Sequence, residues 1–325
     1  MTASWSDLID LADVRLGGAV VDASDEFFAE KDRLIDPKPP IWIDDLYTDR
    51  GKWVDGWETR RRREPGHDWC VVRLGAPGVV RGVDVETTYF TGNVPESCAI
   101  DVCHDPNLTG RWEAAPWTEA LSRRPLNGDS HNRFDVVAPV PATHLRLRIF
   151  PDGGVARLRV YGEVTPDWTR LSERGEIDLA AVQHGGRVVV CSDMLFGHRQ
   201  HLIMPGEART MGEGWETRRR RDGGHDWSIV RLGHPGRILR AEIDTRHFKG
   251  NAPGACSLEA TVDQLHDPQE PHAEWHWLLN RTPLQPDRVH LFDRELAAID
   301  GATHVRFNIY PDGGVARLRL FGRIR

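Results

Sequence analysis

The chain reads as all-β, two copies of one antiparallel β-sandwich domain, and three observations predict this. A long segment recurs within the 325 residues, apolar residues follow a period of two, and many short runs are broken by Gly, Pro, Asn and Asp. The recurrence is the strongest of the three. Gly56-Trp57-Glu58-Thr59-Arg60-Arg61-Arg62-Arg63 returns as Gly214-Trp215-Glu216-Thr217-Arg218-Arg219-Arg220-Arg221, each followed by Gly-His-Asp-Trp at 66–69 and 224–227. Arg73-Leu74-Gly75 matches Arg231-Leu232-Gly233, Gly92-Asn93 matches Gly250-Asn251, and residues 151–159 (PDGGVARLR) are identical to 311–319. The shared unit covers about 11–162 and 179–322, so the expected domains are 1–165 and 166–325, with Thr165-Pro166-Asp167-Trp168 opening the connection. Each copy is domain-sized, which makes this a duplication rather than a solenoid.

Within a unit, Val83, Val85 and Thr87 alternate with Asp84 and Glu86, and Ala241, Ile243 and Thr245 with Glu242 and Asp244. One face of each strand is therefore buried and the other polar. Leu145, Leu147 and Ile149 alternate with Arg146 and Arg148. The Pro-Asp-Gly-Gly that follows predicts a hairpin into Ala156, Leu158 and Val160. Residues 68–74 and 80–87 read as an out-and-back pair joined by Gly75-Ala76-Pro77-Gly78. That arrangement brings the Gly-His-Asp loop and Thr91-Gly92-Asn93 to one end, and likewise Gly224-His225-Asp226 and Lys249-Gly250-Asn251. Twelve tryptophans supply bulk for the cores.

Apolar residues at 39% and charged residues at 28% suit a globular chain. No apolar run reaches membrane-spanning length, and the acidic start lacks the features of a signal peptide. The expected location is the cytoplasm, with five reduced, structural cysteines. A net charge of -7 argues against nucleic acid as a partner. The chain lacks a Gly-x-Ser-x-Gly elbow, a P-loop and a dinucleotide fingerprint, which removes the common serine hydrolase, NTPase and dehydrogenase readings. Fifteen histidines include no His-Glu-x-x-His, and His104-Asp105-Pro106 with His266-Asp267-Pro268 reads as a repeated turn. No cofactor or metal is called for, and assistance by a divalent ion stays open.

Residues 57–69 gather carboxylates, an imidazole and guanidinium groups, enough to bind a carboxylate and move a proton. His67 and Asp68 are neighbours on a strand, so they point to opposite faces. In the alternative reading Asp68 closes a turn, Trp69 is core, and the arginines form a solvated face paired with Glu58 and Glu64. The Gly-Gly of 153–154 is more often a turn than a site, and Arg157 is either a ligand contact or a strand charge.

These residues resemble the allantoicase family through Ala23-Ser24-Asp25-Glu26-Phe27-Phe28, Gly56-Trp57-Glu58-Thr59-Arg60-Arg61, Gly66-His67-Asp68-Trp69-Cys70 and Phe90-Thr91-Gly92-Asn93. The second half resembles that family's second repeat through 214–221, His225-Asp226-Trp227, 247–251 and 311–319. The resemblance implies two tandem jelly-roll sandwiches related to galactose-binding and discoidin-like modules. It also implies hydrolysis of allantoate to ureidoglycolate and urea in purine degradation, and assembly into a homo-oligomer. Met194 stands where the resemblance leads one to expect an acid in the second copy.

Allantoate carries a carboxylate and two ureido groups on one carbon, so losing urea requires a proton for a poor leaving group and an activated water. The implied roles are Arg60 or Arg157 on the carboxylate, His67 or Glu58 as acid, and Asp68 or Glu58 as base. Asn93 bonds a ureido group, and Asp25 belongs to the same substrate-binding set. Glu216, Arg218, His225, Asp226, Asn251 and Arg317 form a second site or support the first. The competing class is a non-enzymatic carbohydrate-binding sandwich, which exposed stacking aromatics in the loops would favour.

Overall fold

The computed structural model describes residues 5–136, 141–264 and 273–324. The chain divides between Thr165 and Pro166 into two compact units. His266-Asp267-Pro268 lies outside the described residues. The equivalent Asp105 accepts the Asn107 amide at 2.9 Å, as an Asx turn does.

In the first unit the organising element is the strand Asp68–Glu86. Its first part lies between Ala19–Ala23 and Ala142–Phe150, and its last part between Arg157–Val164 and His131–Asp135. Gly78 is paired with both Ala142 and Val164, whereas Asp68 pairs with Ile149 and Glu86 with Arg157. Asp68 and Glu86 are therefore at one end and Gly78 at the other. The strand runs out in one layer, folds back at 75–78, and returns in the second. Ser97–Cys103 and Thr118–Pro125 extend the first layer, and Ile9–Asp10 edges the second.

The core fills the space between these layers. Cys70, Ile100, Leu145, Leu147 and Ile149 of one, and Val83, Val85, Leu158 and Val160 of the other, are fully buried. A buried aliphatic side chain contributes about 1.5–3 kcal/mol before chain entropy is set against it. All five cysteines are free, four of them buried and Cys191 partly exposed.

The hairpin expected at Pro-Asp-Gly-Gly does not form. Ala142–Phe150 and Arg157–Val164 pair with opposite halves of Asp68–Glu86 and not with each other. The segment between them crosses from layer to layer, so their alternating apolar residues lie on the facing inner surfaces of a sandwich. On the way, Gly154 and Val155 pair with Glu58 and Trp57. Gly153 takes φ +133°, and a Cβ on Gly154 would sit 1.9 Å from the Phe90 ring, so both positions need glycine.

The second unit repeats this plan on Asp226–Asp244, flanked by Arg187–Cys191 and Ala302–Tyr310, then by Arg317–Ile324 and Val289–Phe292. Trp57 and Trp215 are each fully buried, at equivalent places. Among the described residues no helix is long and apolar enough to cross a membrane.

Candidate active site

Thr59 sets the orientation of its neighbours. Its Oγ1 accepts the Gly153 amide at 3.1 Å and its own amide donates to the Gly153 carbonyl at 3.1 Å, fixing the side chain inward. In extended chain Glu58 and Arg60 then project the other way, side by side. Half-buried Glu58 accepts a hydrogen bond from Asn93 Nδ2 at 2.8 Å. Burial pushes the Glu58 carboxyl above the usual carboxylate range, and the Asn93 donor offsets this only in part.

Arg60 is held from below. Its amide donates to Asp25 Oδ1 at 2.8 Å and its Nε to Asp25 Oδ2 at 2.7 Å. Burial alone would raise the Asp25 carboxyl, but the Arg60 and Phe27 amides and the Arg60 guanidinium together hold it below the usual range. The guanidinium also lies 5.1 Å over the Phe27 ring. With the Arg60 side chain 65% exposed, the rest of its N–H fork faces solvent and is open to an incoming carboxylate. These contacts join Asp25, Glu58, Arg60 and Asn93 into two adjoining pairs.

Asp68 and His67 do not belong to that group. Asp68 is buried, accepting Ser24 Oγ at 3.0 Å and Arg62 Nη1 at 2.7 Å on one oxygen, while the other oxygen is buried without a partner. The Arg62 amide donates to Asp152 Oδ2 at 2.8 Å. Asp68, Arg62 and Asp152 thus fasten the arginine loop that carries Arg60. Asp152 and Arg62 were not among the expected site residues, and the only trace of them in the sequence is that Asp312 and Arg220 match them in the second copy. Arg60 and Arg62 pair with Asp25 and Asp68, and among the described residues neither forms the ion pair with Glu58 or Glu64 that the solvated-face reading has.

His67 lies on the outer side, its ring 5.0 Å from Phe150. No hydrogen bond among the described residues joins it to Glu58 or Asp68. Burial lowers its proton affinity, Arg148, Arg146 and Arg62 lower it further, and Asp68 opposes them.

Arg157 corrects an expectation. Its side chain is 1% exposed, with Nη2 on Asp55 Oδ2 at 2.7 Å, Nε on the Lys38 carbonyl at 2.9 Å and Nη1 on the Ala156 carbonyl at 2.7 Å. A guanidinium buried in this way cannot receive a substrate carboxylate. It ties the loop before Trp57 to the second layer.

The second copy reproduces the geometry. Asn251 Nδ2 donates to Glu216 Oε1 at 2.6 Å, and Arg218 bonds Asp193 through its amide at 2.9 Å and Nε at 2.6 Å. Asp226 accepts Ser192 Oγ and Arg220 Nη1, each at 2.8 Å, and again leaves one buried oxygen unpartnered. His225 packs 4.7 Å from Tyr310, and buried Arg317 bonds the Gly206 and Glu213 carbonyls. Met194 takes nothing from this arrangement. Its counterpart Glu26 accepts the Lys31 amide at 3.0 Å, at the start of a short 3-10 turn, and among the described residues has no hydrogen bond or ion pair to a site residue.

Among the described residues no group of three or more His, Cys, Asp or Glu side chains is placed to hold a metal ion. What each copy offers is a half-buried carboxyl, an amide fixed to it, and a half-open guanidinium, and in the first copy burial raises the proton affinity of the carboxyl. That set suits a small anion that must be held and protonated.

Comparison with known proteins identifies the family. The family model described as an allantoicase repeat matches residues 9–165 and 177–325. The chain is 48% identical to a probable allantoicase of Pseudomonas aeruginosa, over 99% of this chain and 97% of that one. It is 47% identical to probable allantoicase 1 of Burkholderia mallei, over 97% and 94%. Its fold matches the crystal structure of allantoicase from Saccharomyces cerevisiae with a TM-score of 0.83 at 33% identity, over 97% of this chain and 92% of that one. With both repeats matched and nearly every residue covered, the chain belongs to the allantoicase family.

Proposed function

We propose that the chain hydrolyses allantoate to ureidoglycolate and urea, a step of purine degradation, and that each copy carries an active site built on Glu58, Arg60 and Asn93 or on Glu216, Arg218 and Asn251. The observation that carries the site assignment is the Glu58–Asn93 pair beside the Asp25–Arg60 pair, repeated in the second copy. The open edge of the Arg60 guanidinium takes the substrate carboxylate, and Asp25 keeps that guanidinium in place. Asn93, its N–H given to Glu58, offers its Oδ1 to a ureido N–H.

Glu58 in its protonated form donates to the departing nitrogen as the C–N bond breaks, and urea leaves neutral. The electron pair of the remaining ureido nitrogen fills the gap as a C=N bond. The Glu58 carboxylate then takes a proton from the water that adds to this carbon, giving ureidoglycolate and restoring the acid. One carboxyl serves both steps, so neither His67 nor Asp68 is needed at the reacting atoms. Asp68 acts by position, through Arg62 and the loop.

The chain works on this reading as a cytoplasmic homo-oligomer. Leu195 and Phe196, 59% and 63% exposed, provide apolar surface for self-association. The deciding experiment is urea release by the purified protein from allantoate, with and without a chelator, alongside ureidoglycolate as substrate. One urea per allantoate supports the assignment. Absence of urea under every condition overturns it, and loss only with chelator brings a metal into the mechanism.

A further inference from the structure

The two copies differ sharply at one place outside the site. On the outer face of the second unit's first layer, away from its core, lies a cavity of about 390 Å³ lined by Trp227, Glu259, Trp277, Arg306, Asn308 and Tyr310, with His225 beside them. The first unit shows what the fold does there otherwise. Asn308 lies opposite Ser257 and Trp227 just as Arg148 lies opposite Ala99 and Trp69. Arg148 fills the space with ion pairs, its Nη2 bonding Asp101 at 2.9 Å and Glu119 at 3.1 Å. In the second unit Arg148 becomes Asn308 and Glu119 becomes Trp277, the residue opposite Glu259. The long charged side chain is gone and an indole takes the place of its partner.

What is left is arranged for a ligand. Asn308 is 1% exposed, and its Nδ2 donates to Glu259 Oε2 at 3.0 Å and Ser257 Oγ at 3.1 Å. A carboxylate can only accept, so the amide is held with Oδ1 turned from it, and that oxygen is buried without a partner. Two residues along the same strand face, the Arg306 guanidinium stacks 4.7 Å over Trp275, and Nη1 is 3.9 Å from Glu259. An acceptor and a donor therefore stand on one strand face, and Glu259 offsets the charge of Arg306. Both faces of Tyr310 have neighbours, Arg281 at 4.2 Å and His225 at 4.7 Å, while Trp277 is 53% exposed. Trp277 is the free stacking surface.

We infer that this cavity, present in the second copy and plugged by Arg148 in the first, binds a neutral planar ring with an N–H beside a C=O, a cyclic amide or ureide. The ring stacks on Trp277, its N–H donates to Asn308 Oδ1, and its carbonyl accepts from Arg306. The site is independent of urea release from allantoate.

Uracil is a suitable probe, titrated calorimetrically into the full-length protein and followed in parallel by tryptophan fluorescence. Saturable binding is expected, weakened about tenfold in Trp277→Ala by loss of the stack. Asn308→Arg, which installs the first unit's plug, is expected to abolish binding while the melting temperature and urea release from allantoate stay as in the parent. Absence of saturable uracil binding overturns the inference, as does uracil binding unchanged in both variants. Binding of methyl glucopyranoside in place of uracil would equally overturn the planar-ring assignment.

Discussion

Asn93 donates its side-chain N–H to Glu58 at 2.8 Å, across 35 residues of sequence, and Asn251 does the same to Glu216 at 2.6 Å. The bond favours the ionised carboxylate while burial disfavours it more, which leaves Glu58 with raised proton affinity. Turnover requires the protonated acid in the first step, so kcat should fall as pH rises through this raised value. Removing the donor with Asn93→Ala, in a Glu216→Gln background so that the first copy alone is read, should move that descending limb to higher pH. A pH–kcat profile whose limb stays put would exclude Glu58 as the acid.

Glu58→Gln keeps an acceptor for Asn93 but cannot transfer a proton. Because both copies carry the geometry, the single variant should keep about half the turnover, as should Glu216→Gln. The double variant should lose about 10²–10⁴-fold in kcat with little change in melting temperature. Full loss from one single variant would assign catalysis to that copy alone.

Arg60 and Arg218 are assigned to the substrate carboxylate. Replacing both with Ala should raise KM about 10–100-fold, the value of a charge-assisted hydrogen bond or two. Lys in their place should recover little, because a point charge cannot present a fork while also holding Asp25. Steady-state kinetics that show an unchanged KM would detach these residues from binding.

The His67 ring faces Phe150, not Glu58. His67→Ala with His225→Ala should therefore turn over allantoate at nearly the parent rate. A fall of several orders of magnitude, with circular dichroism unchanged, would return the imidazole to the chemistry.

Arg157→Met should act on stability rather than on substrate. It removes the closest partner of Asp55, leaving Arg33 Nη1 at 3.8 Å and the Ile41 amide at 3.0 Å, and should cost about 1.5–3 kcal/mol, read as a lowered midpoint of thermal unfolding, with KM of the folded enzyme unchanged. A raised KM at unchanged stability would contradict the strut role.

The fold was legible in the sequence because strand periodicity and self-similarity are local signals, carried for instance by Val83, Val85, Leu145 and Leu147. The return at 75–78 was legible for the same reason, from its Gly and Pro. Periodicity states which face of a strand is buried but not which strand lies beside it. Leu145 and Leu158 therefore looked like hairpin neighbours when they lie on the inner faces of two different layers. At the site, the repeat brought out Glu58, Arg60 and Asn93, yet not their pairing, which depends on chain segments 35 residues apart. Arg157 was misassigned because a guanidinium is written alike whether it faces solvent or is covered by Lys38 and Asp55 from far upstream. His67 and Asp68 adjoin in sequence, and strand geometry alone sends them to opposite faces.

Gly153 sits on the segment that crosses between the two layers, and through both its amide and its carbonyl it grips Thr59, the residue between Glu58 and Arg60. The proposed acid and carboxylate-binding residues thus flank a residue fastened to the seam of the sandwich. Freeing Thr59 would mean pulling it from the segment that joins the layers. On the proposed assignment, activity then reports on whether the two layers of the unit are joined.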